Sequence, residues 1–308
     1  MTKSIDILGL GCVAVDDLLY VPSFPVANTK VRVLSWERQC GGLTGAALVT
    51  ATRFGARCAF GGLLGLDELS HVIEENFLSE GVEVKFAPRA MDASVVHSTI
   101  VVAAETGTRN IFYRINGRLG ADDLLPTESV IRSARVLFLD HYGMVGNLRA
   151  ALIARAAGIP IVADFERNND PRFKELLGLV DHIVLPEDMA AKITGKRSPQ
   201  SAAEVLWHKE CHAVVITCGI AGSWFVGTDQ MVQHQPAFRV RAVDTTGCGD
   251  VFHGAYAAAL AMGGTLSECI RLATAAAALK ATQPGGQRGI PTRNQVDEFL
   301  QSEPEIIR

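Results

Sequence analysis

Short runs of β-branched and aliphatic residues alternate with stretches of helical period along most of the chain. The apolar runs predict strands at Ile5–Val15, Ala59–Leu64, Val136–Leu139, Ile159–Ala163, His182–Leu185 and Ala213–Thr217. Between them the period of 3.6 predicts helices at Thr44–Phe54, Glu68–Ser79, Leu148–Ala156 and Pro171–Leu177. Such alternation builds right-handed crossovers onto a mostly parallel sheet with helices on both faces. A fully apolar strand such as Ile159-Pro160-Ile161-Val162-Ala163 suits a sheet covered on both sides. Two stretches break the rhythm. Val95–Ala104 and Asn110–Ile115 flank the turn-like Glu105-Thr106-Gly107-Thr108 and read as an antiparallel hairpin. Residues 17–40 are extended in character, since Pro22 and Pro25 argue against helix. These pieces fit a small sheet projecting from the body, or an ordinary surface hairpin. The C-terminal third is helical over Asp250–Met262, Thr265–Ala281 and Thr292–Leu300, the last two opening on capping-box patterns.

Composition narrows the class. A chain of 308 residues buries about three quarters of its extended surface, and its length fits one large domain or two. The 29 basic and 33 acidic side chains nearly cancel, and no basic run occurs, which argues against a nucleic-acid or anionic-membrane partner. An apolar content of 48% excludes disorder. The seven cysteines are scattered without Cys-x-x-Cys spacing, so neither a zinc cage nor a disulfide framework is indicated. Reduced thiols, an N-terminus (Met1–Asp6) without a signal-peptide run, and an apolar helix at Val251–Met262 too short to span a bilayer set the expectation of a cytoplasmic protein.

The most informative segment is Asp244-Thr245-Thr246-Gly247-Cys248-Gly249-Asp250, running into the alanine-rich helix that follows. Two glycines flank Cys248 and let backbone approach a ligand closely. The unpaired N–H groups of Gly247–Asp250 then point out of a helix N-terminus, where the dipole favours anions. A carboxylate beside an anion cradle is electrostatically awkward unless it takes a proton from an attacking hydroxyl. The competing account makes Asp250 a cap or dipole partner only. The helix dipole predicts a lowered pKa for Asp250. Other nucleotide motifs fail. Gly195-Lys196 continues as Arg197, so no P-loop is present, and Gly9-Leu10-Gly11 continues as strand-like Val15-Asp16 where a dinucleotide fold needs a helix.

At this point Asp244–Asp250 resembles the C-terminal signature of the ribokinase-like (PfkB-type) carbohydrate kinases. Gly11–Asp16 resembles the family's first strand, ending in a sugar-binding aspartate. Gly41-Gly42 resembles the diglycine signature, and Thr217-Cys218-Gly219-Ile220-Ala221-Gly222 the nucleotide-contacting segment. Gln235–Phe238 and Pro284–Pro291 are similar to the ketohexokinase and sulfofructose kinase branch. The resemblance covers essentially the whole chain. It implies one three-layer α/β/α domain with a mostly parallel central sheet and a small β-lid, formed by about 12–40 and 93–117, often clasping a homodimer. It implies Asp250 as catalytic base and Gly247, Cys248 and Gly249 as the anion hole. It further implies Asp16, Gly41 and Gly42 at the sugar, Thr217, Gly219 and Gly222 at ATP, and Mg²⁺ on the phosphates. A monovalent cation such as K⁺ is implied near Asp244 and Gly286–Pro291.

The chain departs from the family where its Asn-x-x-Glu motif belongs. Glu187-Asp188-Met189-Ala190 stands there, and Glu187, or Asp188 beside it, becomes the candidate carboxylate for Mg²⁺ through water, with a plain helix start as the alternative. Ala46 replaces the sugar-site asparagine, and Cys248 stands where alanine is usual. Arg109 and Arg114 on the hairpin are candidates to reach a sugar or an anionic substituent, or are solvated charges. His141 and His253 read as structural. The expected activity is ATP-dependent phosphorylation of a hydroxyl on a small sugar or sugar derivative. A nucleoside kinase of the same fold and a non-catalytic sugar- or nucleotide-binding regulator are the alternatives.

Overall fold

A computed structural model describes residues 3–106 and 108–307. Its main sheet has eight strands in the order β12-β11-β10-β9-β8-β7-β1-β4. These are β1 (Ile5–Leu10), β4 (Cys58–Phe60), β7 (Ala134–Asp140), β8 (Ile161–Asp164), β9 (His182–Pro186), β10 (Ala213–Thr217), β11 (Ser223–Gly227) and β12 (Val232–Gln235). From β4 to β10 the pairings are parallel; β11 and β12 close the far edge antiparallel. Alternate residues of each central strand enter two separate cores. Val136, Phe138, Val162, Val184 and Val215 face one, and Leu137, Leu139, Ile161, Ile183, Leu185 and Ile216 face the other. Both faces being covered, the strands carry no polar alternation.

The first core packs beneath α1 (Leu43–Arg53), α2 (Glu68–Glu80), α8 (Cys248–Ala261), α9 (Leu266–Ala281) and α10 (Arg293–Gln301). The second lies beneath α3 (Glu128–Arg132), α4 (Met144–Ala156), α5 (Phe173–Leu177), α6 (Glu187–Thr194) and α7 (Pro199–Leu206). The capping boxes expected at Thr265 and Thr292 are both formed. Gly254 lets α8 lie directly on α1, because a Cβ there would run into the carbonyl oxygen of Ala47.

The run read as one strand over Ile5–Val15 is two. It breaks after Leu10 and resumes as β2 (Ala14–Val21) in a second sheet of order β3-β2-β5-β6, with β3 (Ser35–Gly41), β5 (Val96–Ala103) and β6 (Arg109–Arg114). The cause is non-local. Gly11 is pressed against Thr44 and Asp140, and the Cys12 N–H donates to Asp140 Oδ2 at 2.6 Å, which turns the chain out of the main sheet. Asp16 therefore lies inside β2 and not at the end of the first strand. A strand after Gly11 also removes the dinucleotide-binding alternative. The hairpin of β5 and β6 forms in antiparallel register, and the strand expected over Ala59–Leu64 shortens to β4. No helix among the described residues is long and apolar enough to cross a membrane. All seven cysteines are free, and only Cys248 is not buried.

Candidate active site

The site is built around the N-terminus of α8. Gly247 caps the helix at φ 74°, a left-handed conformation that glycine adopts without strain. The helix begins at Cys248, two residues ahead of the expected start, so Asp250 is the third helical residue. The first N–H groups of a helix have no intrahelical acceptor. That of Cys248 bonds the Thr245 carbonyl at 3.2 Å; those of Gly247 and Gly249 have no acceptor among the described residues. A Cβ on Gly249 would meet nothing within 4 Å, so open space stands before it. This is a cradle that an anion fits.

Asp250 is partly buried. Burial first, then the charges of Asp164 and Glu166, push its carboxyl well above the usual carboxylate range. The lowered value expected from the helix dipole is thus reversed, because desolvation and two neighbouring acids outweigh half a charge of dipole. Burial, with Glu166 and Asp140, pushes Asp164 the same way. A carboxylate of raised pKa is a stronger base than an ordinary one. His253, one turn on, meets the carbonyls of Gly249 (Nδ1, 2.8 Å) and Val184 (Nε2, 3.0 Å), and its Nδ1 lies 3.3 Å from Asp164 Oδ2. Its place is to fix the first turn of α8 on the sheet.

Two cavities meet beside this helix end, sharing Ala242 and Thr245. The first, about 390 Å³, is a largely apolar slot holding Thr217, Gly219, Gly222, Cys248, Gly249 and Phe252. Its floor is the small face of α9, where Thr274, Ala277, Ala278 and Ala281 recur at helical spacing. The second, about 360 Å³, opens between the small sheet and the loops around Asp244 and Gly285, and is lined by Asp16, Gln39, Arg109, Asp244 and Thr246 among others. Three contacts hold the small sheet over it. The Gly286 N–H donates to Gln39 Oε1 (3.0 Å), Arg109 lies 3.6 Å from Asp244, and Arg288 lies 3.2 Å from Glu37.

The residues singled out from sequence are brought together unevenly. Thr217, Gly219, Gly222, Cys248 and Gly249 share the first cavity; Asp16 and Arg109 share the second. Gly41 lies against Asp16, since a Cβ there would sit 2.8 Å from Asp16 Oδ2. Gly42 caps α1 at φ 88° against Val13. Gly222 also has a structural reason, because a Cβ would collide with the Gln235 carbonyl. Asp250 lines neither cavity itself, but its Oδ2 lies 3.8 Å from a Cβ position on Gly247. Arg114 stands exposed at the end of β6 and lines neither cavity. Glu187 is exposed at the first position of α6, just beyond the Pro186–Thr217 pair that borders the apolar slot. Among the described residues no three His, Cys, Asp or Glu side chains converge as a metal cage.

Sequence reasoning missed Asp140 and Asp164, which end β7 and β8 at the carboxyl edge where open α/β sheets bind ligands. The signal was present as an acid closing each apolar run. Asp140 accepts from the Cys12 N–H (2.6 Å), the Thr44 hydroxyl (2.9 Å) and the Tyr142 N–H (2.8 Å), tying three segments at the sheet edge.

A mostly parallel eight-stranded sheet with a small second sheet beside it, and a glycine-flanked helix start lining an apolar slot next to a polar cavity, is the ribokinase-like fold. The chain matches the model of the pfkB family of carbohydrate kinases over residues 9–293 and belongs to that family. It is 28% identical to a ribokinase of Haemophilus influenzae over 98% of this chain and 99% of that protein. It is 27% identical to fructokinase-2 of Solanum habrochaites over 84% and 86%. A solved ribokinase of Thermotoga maritima superposes with a TM-score of 0.83 at 25% identity, covering 96% and 99% of the two chains. The Arabidopsis thaliana ribokinase complexed with ribose and ATP shares the fold at a TM-score of 0.83 and 22% identity.

Proposed function

We propose that this carbohydrate kinase transfers the γ-phosphoryl group of ATP to a hydroxyl of a small sugar. The observation that supports the reading is the N-terminus of α8: Cys248 and Gly249 line the apolar slot, Thr245 just before them is shared with the polar cavity, and the Gly247 and Gly249 amides have no acceptor among the described residues, with Asp250 next in the chain. The adenine end of the nucleotide fits the apolar slot over the α9 alanines, with Thr217, Gly219 and Gly222 along its edge. The sugar fits the polar cavity, where Asp16 and Arg109 offer an acceptor and a donor set for hydroxyls, with Gly41 giving room to Asp16. Arg114 serves sugar binding only if β6 moves.

Phosphoryl transfer passes through a loose transition state, so positioning and electrostatic stabilisation carry most of the rate. Gly247, Cys248 and Gly249 hold the migrating group's oxygens, which requires the Cys248 N–H to leave Thr245. Asp250 orients the acceptor hydroxyl and takes its proton as the bond to phosphorus forms. When bound, Mg²⁺ would supply charge neutralisation on the phosphates, and Glu187, exposed at the first position of α6, would hold it through water. The small sheet acts as a lid that excludes water. Its exposed apolar residues Leu34, Trp36, Ile111 and Phe112, on or beside the edge strands β3 and β6, support pairing of two copies through the lids. The setting is cytoplasmic.

The named relatives are ribokinases and fructokinases, a broader placement than the ketohexokinase and sulfofructose kinase branch suggested by Gln235–Phe238 and Pro284–Pro291. A coupled ADP-release assay over pentoses, ketohexoses, sulfonated sugars and nucleosides tests both levels. Mg²⁺-dependent turnover on one class of sugar is expected. Turnover on nucleosides alone, or on none, overturns the reading.

A further inference from the structure

Lys280, on α9, is 0% exposed, and among the described residues its Nζ has no carboxylate within 4 Å. It donates instead to two backbone carbonyls, Asp244 O at 3.1 Å and Gln283 O at 3.3 Å. A buried amino group without an ion pair is unfavourable unless its surroundings are built for it. Here they are. Gly289 leaves the space its stem occupies, since a Cβ there would lie 2.9 Å from Lys280 Cδ. Burial draws the pKa below the ordinary lysine range, opposed by the Cys248 thiol, Asp244 and Asp250.

The two carbonyls belong to the two segments that converge behind the α8 N-terminus. The Gly285 N–H donates to Asp244 Oδ2 (2.9 Å), and the Asp244 carboxylate in turn accepts from the Thr246 N–H and hydroxyl (2.8 and 2.7 Å). One ammonium therefore bridges, through carbonyl dipoles, the strand of backbone that shapes the anion cradle. This is the region where the family resemblance implied a monovalent cation. With these carbonyls already taken by Lys280 and its stem filling the space beside Gly289, a free cation does not fit there.

We propose that the Lys280 ammonium is a tethered cation, a positioning residue that holds the Asp244–Gly247 segment in place and makes the kinase independent of monovalent cations. The role of that segment rests on the function proposed above, so the test has an arm that needs no turnover. Melting temperature and steady-state kinetics are measured in tetramethylammonium buffer, with and without potassium, for the wild type, Lys280→Ala and Lys280→Met. The wild type is expected to show the same kcat and the same Tm under both conditions. Lys280→Ala should lose about ten- to a hundredfold in kcat with a smaller change in sugar KM, the size of lost charge-assisted hydrogen bonds. Potassium or ammonium should raise its Tm and restore part of its kcat. Lys280→Met, which fills the space with an apolar stem, should not be rescued. Several-fold activation or a Tm rise of the wild type with potassium overturns the proposal, as does a Lys280→Ala enzyme that is fully active without it. If neither variant folds, the wild-type response to potassium decides. If no sugar is phosphorylated, the function reading fails while the Tm arm still reports on the cation.

Discussion

Gly249→Ala separates the needs of the fold from those of the chemistry. Gly249 is the second residue of α8, exposed, and a Cβ built on it meets nothing within 4 Å. Its φ is not in the left-handed region, unlike that of Gly247. Alanine is favoured over glycine in a helix by about 0.5–1 kcal/mol, so the variant should melt at the wild-type temperature or about 1–3 °C above it. On the proposed function, however, the added methyl stands where a phosphoryl oxygen would approach the Gly249 N–H. Losing one hydrogen bond to a charged oxygen removes about 1.5–3 kcal/mol, or about 10- to 150-fold in kcat/KM for ATP. Differential scanning fluorimetry and ATP-dependent initial rates read the two effects on one preparation. An equally stable variant with undiminished kcat/KM would refute the placement of an anion at this amide.

Further outcomes follow from the same geometry. Gly254→Ala drives a methyl into the Ala47 carbonyl and must part α8 from α1; urea unfolding should show a loss of about 1–3 kcal/mol or more, and a stability equal to wild type would contradict the packing. Arg109→Ala removes the contact between the small sheet and Asp244, so sugar KM should rise and ATP hydrolysis without sugar should increase, with kcat little changed; an unaltered KM speaks against a lid. Burial pushes the Asp140 carboxyl from 3.8 up to about 6, against its bonds to Cys12, Tyr142 and Thr44. A carboxyl raised on folding contributes stability that is fully present below its unfolded value and lost as pH rises through the folded one, about 3 kcal/mol for this interval. The gain in unfolding free energy on acidifying from neutral pH to about pH 4.5 should therefore shrink in Asp140→Asn, and an identical pH dependence would contradict it.

The layered body was legible because its signals are local. Each central strand is an apolar run buried on both faces, and the helices over it keep their period and caps. The glycine-rich entry to α8 was legible for the same reason. What escaped was set by distant partners. The break after Leu10 depends on Asp140 and Thr44, which lie 128 and 32 or more residues on and are brought beneath Gly11 only by the fold. The edge strand β12 carries the polar residues Gln233, His234 and Gln235, and is held by pairing to β11 more than by pattern. The direction of the Asp250 pKa was misread because a helix start is visible in sequence, whereas Asp164 and Glu166 closing around it are not.

The central claim is that the carboxylate of Asp250 accepts the sugar's proton while the neighbouring amides hold the phosphoryl group. Asp250→Asn keeps the shape and removes the base, so the most direct measurement is its kcat beside its ATP affinity by nucleotide titration. The account predicts that kcat falls about 10²–10⁴-fold, roughly 3–5 kcal/mol of barrier, with ATP binding retained. A kcat within about threefold of wild type, in a protein that still binds ATP, would contradict it.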